Sequence, residues 1–72
     1  MTKTELEAKI HNGETLAGID LRGQDLNGAE LGYARLHGAN LGKASLSGAV
    51  LLGATLYAAN LSEADLTSAT LR

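Results

Sequence analysis

Histidine, serine and carboxylate side chains are the best candidates for catalysis or metal binding in this sequence, which contains no cysteine. The two histidines, His11 and His37, each stand alone, without a second ligand at the spacing of a metal site. The serines have no nearby base and no Gly-x-Ser-x-Gly context, which applies to Ser45, Ser47, Ser62 and Ser68. The glycines recur regularly and precede no helix, so they form no phosphate loop. The sequence therefore predicts no enzyme, no metal site and no cofactor.

Charge and hydropathy narrow the possible partners. The formal net charge of the 72 residues is −2, with neither a basic patch for nucleic acid nor an acidic tail. The longest apolar stretch, residues 49–52, is far too short to span a bilayer, and the N-terminus has no apolar segment of a secretory signal. We expect a cytoplasmic protein that binds neither a membrane nor nucleic acid directly.

A strict five-residue repeat organises most of the chain. Leucine recurs at every fifth position without a slip, twelve times: Leu16, Leu21, Leu26, Leu31, Leu36, Leu41, Leu46, Leu51, Leu56, Leu61, Leu66 and Leu71. Alanine stands two residues before leucine from Ala29 onward, a polar residue directly before it except at Val50, and glycine often two residues after it. The consensus unit is Ala-polar-Leu-x-Gly.

Neither a straight helix nor a straight strand can bury this repeat on one side. In an α-helix, five residues advance about 140° beyond one full turn, so the leucines would spread around the helix. In a strand, an odd period places successive leucines on opposite faces. A chain that turns once per unit directs every leucine to a common axis, and glycine suits the corner because it tolerates positive φ.

The units resemble those of pentapeptide-repeat proteins. Residues 39–43 (Ala-Asn-Leu-Gly-Lys), 44–48 (Ala-Ser-Leu-Ser-Gly) and 64–68 (Ala-Asp-Leu-Thr-Ser) are similar to that family's Ala-(Asp/Asn)-Leu-x-x unit, and the resemblance extends over residues 14–72. It implies an all-β solenoid, a right-handed quadrilateral β-helix with four units per coil. The twelve units would then form about three coils, with the leucines stacked in four ladders as a common core.

A short helix is predicted over residues 3–12. Thr2 and Glu5 have the spacing of a capping box, and Thr4 with Glu7 is the alternative register. Asn-Gly at residues 12–13 is typical of a helix end.

This helix is expected to cover the first coil. Leu6 and Ile10 lie one helical turn apart on a single face, which would pack on the coil. Residues 1–13 would thus form an N-terminal cap on the β-helix of residues 14–72. Three early units lack the alanine, which we interpret as adaptation to the cap: Glu14, Ile19 and Gln24.

Two surfaces are candidates for protein contacts. The repeat continues in register to Leu71, which predicts a last coil with an open backbone edge, and open edges recruit other chains. On the side, an apolar patch is expected from Val50 and Leu52 together with the aromatic residues Tyr33 and Tyr57. With four units per coil, the stacked neighbour of His37 could be Tyr57 rather than an acid, and we interpret His37 as an ordinary exposed histidine.

The leading functional hypothesis is a non-enzymatic structural or interaction module that self-associates as a homo-oligomer. A dimer through the C-terminal end is favoured, and an unidentified protein partner is the other possibility. A downstream segment covering the open edge, or a truncated or designed origin, remains an alternative to self-association.

The alternative function comes from the resemblance, since some family members mimic DNA and inhibit or protect DNA gyrase or topoisomerase IV. That role needs a long acidic stripe. Here Asp25 and Asp65 would share a column with Ser45 between them, and Asp20 would share one with Asn40 and Asn60. We therefore rank it second.

Overall fold

The protein is described by a computed structural model that covers all residues, 1–72. It contains one helix, α1 (Lys3–His11), followed by a chain that turns at every five-residue unit. Units twenty residues apart are paired through isolated parallel β-bridges. These join Asp20 with Asn40, Asp25 with Ser45, Glu30 with Val50, Arg35 with Thr55, Asn40 with Asn60, Ser45 with Asp65, and Val50 with Thr70. Helix α1 is neither long nor apolar enough to cross a membrane.

A tight turn in every unit explains the regular change of direction. The leucine carbonyl oxygen accepts a hydrogen bond from the N–H three residues later, as between Leu16 and Ile19 at 3.1 Å. The third residue of this turn has a positive φ in every unit from Gly18 (φ 70) to Ser68 (φ 60). This geometry corresponds to a type II turn, which favours glycine at that position. The predicted role of the recurrent glycine is confirmed.

The β pairing of the solenoid is limited to one residue per unit. The turn uses the leucine and the three residues after it, so only the polar residue before the next leucine remains free to pair. One paired residue per unit cannot form a continuous β-strand. The structure accordingly has single β-bridges.

We call each stretch of twenty residues that pairs with the next a level of the coil. Backbone hydrogen bonds connect successive levels. The N–H of Leu16 donates to the carbonyl oxygen of Arg35 at 2.9 Å, and the N–H of Asn40 donates to that of Ile19 at 2.9 Å. Similar bonds recur along the chain, so each level is tied to the next in both directions.

The leucines and alanines form the core, and their burial decreases towards the C-terminus. The repeat leucines from Leu16 to Leu51 are at most 4% exposed, and no polar or charged residue is buried. Leu56, Leu61 and Leu66 pack against this cluster but are only partly buried.

Leu71 departs from the predicted core ladder, since 55% of it is exposed. The reason is positional, because within residues 1–72 nothing packs against that side of the last level.

Helix α1 begins with the predicted capping box. The Glu5 N–H donates to Thr2 Oγ1 (3.1 Å) and the Thr2 N–H donates to Glu5 Oε1 (2.8 Å), so the first of the two registers is confirmed. The helix ends at His11, with Asn12 as C-cap and Gly13 at φ 76.

The helix is attached to the coil through its apolar face. Leu6 is fully buried and Ile10 packs against the core. Lys9 of the helix forms an ion pair with Glu14 (3.6 Å), which agrees with the interpretation of residue 14 as adapted to the cap. Ile19 packs against the same core.

Two polar contacts complete this attachment. Lys3 Nζ donates to the Asn27 carbonyl oxygen at 3.0 Å, and the Glu30 N–H donates to Glu7 Oε2 at 2.7 Å. The helix thereby satisfies backbone groups on one side of the first level.

Candidate interaction surfaces

The lower edge, formed by residues 55–72, carries a row of unpaired backbone groups. One level higher, the Leu36 N–H donates to the Thr55 carbonyl oxygen at 2.9 Å. The equivalent N–H groups of the last level make no backbone hydrogen bond, namely those of Leu56, Leu61 and Leu66. The side chains of these leucines are partly buried, and Leu71 beside them is mostly exposed. This edge therefore presents both unpaired donors and apolar side chains, the combination that favours pairing with another chain.

The predicted apolar patch is divided between two places. Tyr33 (74% exposed) and Leu52 (42% exposed) are connected through the backbone, because the Tyr33 N–H donates to the Leu52 carbonyl oxygen at 2.7 Å. The Tyr33 ring lies against Gly53, where an added Cβ would come within 2.6 Å of two ring carbons. Val50 lies in the column of Glu30 and is only partly exposed, because it has a neighbour above and below.

Tyr57 belongs to a different contact. Its ring stacks on His37 with centroids 5.0 Å apart and an interplanar angle of 7°, which confirms the predicted stack. His11 is exposed near the end of α1. No group of three or more histidine, cysteine or acidic residues could hold a metal ion.

The outward polar residues form the expected columns. Asp25, Ser45 and Asp65 are bridged in order. Asp20 is bridged to Asn40, which is in turn bridged to Asn60. The acids are thus separated by neutral residues along the coil.

Two of these acids are held in the charged form by local hydrogen bonds. The Arg22 side chain, which contacts the Asp20 carboxylate at 2.8 Å, and the Arg22 backbone N–H lower the pKa of Asp20. Hydrogen bonds from the Thr67 hydroxyl and N–H lower the pKa of Asp65. In both cases the hydrogen-bond donors favour the ionised carboxylate.

A polar groove of about 660 Å³ crosses the Asp20 column and has no hydrophobic lining. Its charges are mostly matched internally, since Asp20 pairs with Arg22 and Lys43 lies 4.0 Å from Glu63. The amide of Asn60 donates to Asn40 Oδ1 at 3.1 Å. Sequence inspection did not identify this groove, because it forms only when units twenty residues apart are stacked.

The pentapeptide-repeat family model matches residues 15–42 and 34–72, with eight copies of the repeat. The chain belongs to the pentapeptide-repeat family. The matched region coincides with the turning part of the fold, and α1 lies outside it. Members of this family are generally non-enzymatic structural repeat proteins. No curated protein matches the sequence.

Membership in the pentapeptide-repeat family directs attention to the surface. From Ala29 to Leu51 the leucine and alanine of each unit are buried in the core. The positions left for recognition are the outward ones, the side chains at the turns and the edges. Most of these side chains are small or polar, whereas Tyr33 at a turn and Leu52 and Tyr57 directly after leucine are large and exposed.

Proposed function

We propose that this pentapeptide-repeat chain is a non-enzymatic interaction module that associates with a second copy of itself through the edge of residues 55–72. The main support is the row of unpaired N–H groups on that edge, next to partly exposed leucines. A second copy would supply carbonyl oxygens and apolar surface at once. The proposal includes a right-handed quadrilateral coil of about three turns over residues 14–72, capped by residues 1–13.

The two ends of the coil differ in a way that favours a closed dimer over a filament. Helix α1 covers part of the upper end, where Leu6 is buried and Lys3 and Glu7 occupy backbone groups. A contact that uses the same lower edge on both copies is two-fold symmetric, so the lower edges of both copies are used up in one closed pair. The expected assembly is therefore a dimer.

The side surface around Tyr33 and Leu52 is the second route to association in this proposal. Exposed aromatic and aliphatic residues of this size are typical anchors of protein interfaces. This side surface would bind either a second copy of the chain or a different protein in the cytoplasm. The two routes make different predictions for substitutions at Leu71 and at Leu52.

Sedimentation equilibrium of the 72-residue chain, together with two matched leucine-to-lysine variants, tests these routes. Leu71 and Leu52 are both substantially exposed (55% and 42%), so neither variant should unfold the monomer. We expect a concentration-dependent dimer, weakened about tenfold or more in Leu71→Lys because lysine places a charge in the interface. Leu52→Lys should leave it unchanged.

Other outcomes would redirect or end the proposal. A dimer lost in Leu52→Lys and kept in Leu71→Lys would place the contact on the side surface. A chain that stays monomeric at high concentration would contradict self-association.

DNA mimicry directed at DNA gyrase or topoisomerase IV is the alternative function, and no observation favours it. A mimic needs a continuous run of negative charge, whereas Ser45 lies between Asp25 and Asp65. Arg22 neutralises the next acid, Asp20. We expect no inhibition of gyrase supercoiling at low micromolar protein, and dose-dependent inhibition would reverse this ranking.

A further inference from the structure

A second groove lies where α1 meets the first level of the coil. It is an open cleft of about 590 Å³. Six residues line it, from both the helix and the coil: Glu7, Ile10, His11, Glu30, Gly32 and Tyr33. The groove therefore combines an aromatic ring, an aliphatic side chain and two acids.

Both acids line the groove, and the carboxylate of one contacts the backbone of the other. Glu7 Oε2 accepts a hydrogen bond from the Glu30 N–H, which fixes the Glu7 carboxylate beside residue 30. Neither acid forms an ion pair, since the three ion pairs of the protein join Lys9 with Glu14, Arg22 with Asp20, and Lys43 with Glu63. The groove thus carries two acidic side chains, neither of which takes part in an ion pair within the protein.

Tyr33 forms the aromatic wall of the groove. It occupies the turn position with φ 62, where most units have glycine. A tyrosine is strained there and a glycine is not. The ring lies against Gly53 and remains 74% exposed. A large exposed ring at a position that favours glycine contributes little to folding and is available for recognition.

We propose that this groove binds an arginine side chain presented by a basic peptide segment of a partner protein. The guanidinium group would lie against the Tyr33 ring, since cations are attracted to aromatic faces. The carboxylates of Glu7 and Glu30 would accept its N–H groups in charge-assisted hydrogen bonds. The aliphatic part of the arginine would pack on Ile10, as long basic side chains commonly do on apolar surfaces.

The chemistry of the groove favours a guanidinium over a metal ion. Calcium takes six or more oxygen ligands, whereas the groove offers two carboxylates, and its other side chains are Ile10, His11 and Tyr33. An aromatic wall also adds nothing to calcium coordination, whereas it suits a planar organic cation. The site is distinct from the dimer edge, because its lining comes from α1 and residues 30–33.

The probe for this proposal is the peptide acetyl-Gly-Arg-Leu-Arg-Gly-amide, titrated into the whole chain and followed by heteronuclear NMR. We expect shifts of the backbone amides of Glu30 and Tyr33 and of the Tyr33 ring protons. The same peptide with citrulline in place of both arginines should bind at least about fivefold more weakly, because it lacks the guanidinium charges.

Substitutions in the protein test the groove against general charge attraction. Tyr33→Gly and Glu30→Gln should each weaken binding about fivefold or more. Glu63→Gln removes the same charge outside the groove, and Tyr57→Ala removes the other tyrosine, so both should bind as the parent does. Tyr33→Gly should fold at least as well as the parent, since it relieves a positive φ, so its loss of binding is not attributable to unfolding.

Three results would overturn the proposal: no shift at Glu30 and Tyr33, equal binding of the citrulline peptide, or an equal loss in Glu63→Gln and Glu30→Gln. Repeating the titration on the Leu71→Lys variant separates this site from self-association. Peptide binding by a monomer supports the groove whatever the fate of the dimer.

Discussion

Alanine substitutions along one leucine ladder should produce a steep gradient in stability. Leu31 and Leu51 are 0% and 3% exposed, whereas Leu71, in the same register forty residues after the first, is 55% exposed. Removing a buried leucine side chain costs the lost transfer free energy plus a cavity term, about 3–5 kcal/mol. At Leu71 more than half of the side chain stays in water and no cavity forms, so about 1 kcal/mol is expected.

These values are large relative to the stability of a chain of this size. At about 0.05–0.15 kcal/mol per residue, the whole protein should have a free energy of unfolding of roughly 4–11 kcal/mol. Leu31→Ala or Leu51→Ala should therefore remove a large share of it, and Leu71→Ala only a small one.

Urea unfolding followed by circular dichroism measures this gradient, at a concentration low enough for the monomer. Equal losses at Leu31 and Leu71 under these conditions would refute the packing described here. At higher concentration, Leu71→Ala should become more destabilising, because the proposed dimer buries that side chain. An unchanged value would argue against Leu71 in the interface.

Three further predictions concern the cap, the turns and the surface charges. Leu6→Ala should lower the free energy of unfolding by about 2–5 kcal/mol in urea titrations, because this fully buried side chain packs α1 against the coil. A loss below about 0.5 kcal/mol would show that the helix is not packed as described. Gly18→Ala, at φ 70, should destabilise the protein, and Glu63→Gly, at φ 59, should stabilise it. Each change in the free energy of unfolding should be about 1 kcal/mol in thermal or urea unfolding. Changes of the reverse sign would contradict the turn geometry. Hydrogen bonds from Arg22 lower the pKa of Asp20 below its ordinary value of 3.8 in the folded state. Its contribution to the free energy of unfolding is therefore fully present above that value and is lost as the pH falls from it through the lowered folded-state pKa. Asp20→Asn should flatten this acid limb, and an unchanged pH profile would contradict it.

The sequence was sufficient to predict the repeat geometry, because the leucine period leaves few ways to bury twelve side chains. Positive φ at the glycine position and the Thr2–Glu5 capping box follow from local chemistry that depends on neighbours in sequence. Both are confirmed at the predicted residues. The stacking of Tyr57 on His37 was also predictable once the number of units per coil was taken from the family.

Features that depend on how elements dock were not predictable from the pattern. The sequence does not determine where α1 lies on the coil, so the bonds from Lys3 to Asn27 and from Glu30 to Glu7 were not foreseen. The acidic groove beside Tyr33 exists only because of that docking.

The decrease in leucine burial towards the C-terminus agrees with the open last coil that the repeat predicts. Burial requires a neighbour on each side along the axis. Leu46 has both and is fully buried, whereas Leu66 has one and is only partly buried. The single bridges have a similar origin, since the turn consumes most of each unit and leaves one residue to pair.

Hydrogen exchange of individual amides, measured by NMR at low and high protein concentration, tests the central claim most directly. The amides of Leu36, Leu41 and Leu46 donate to carbonyl oxygens of the last level and should be protected from exchange at both concentrations. Those of Leu56, Leu61 and Leu66 have no partner within the chain, so they should exchange fast in the monomer and become protected as the dimer forms. Fast exchange at these three leucines in a fully dimeric sample would contradict association through the edge of residues 55–72.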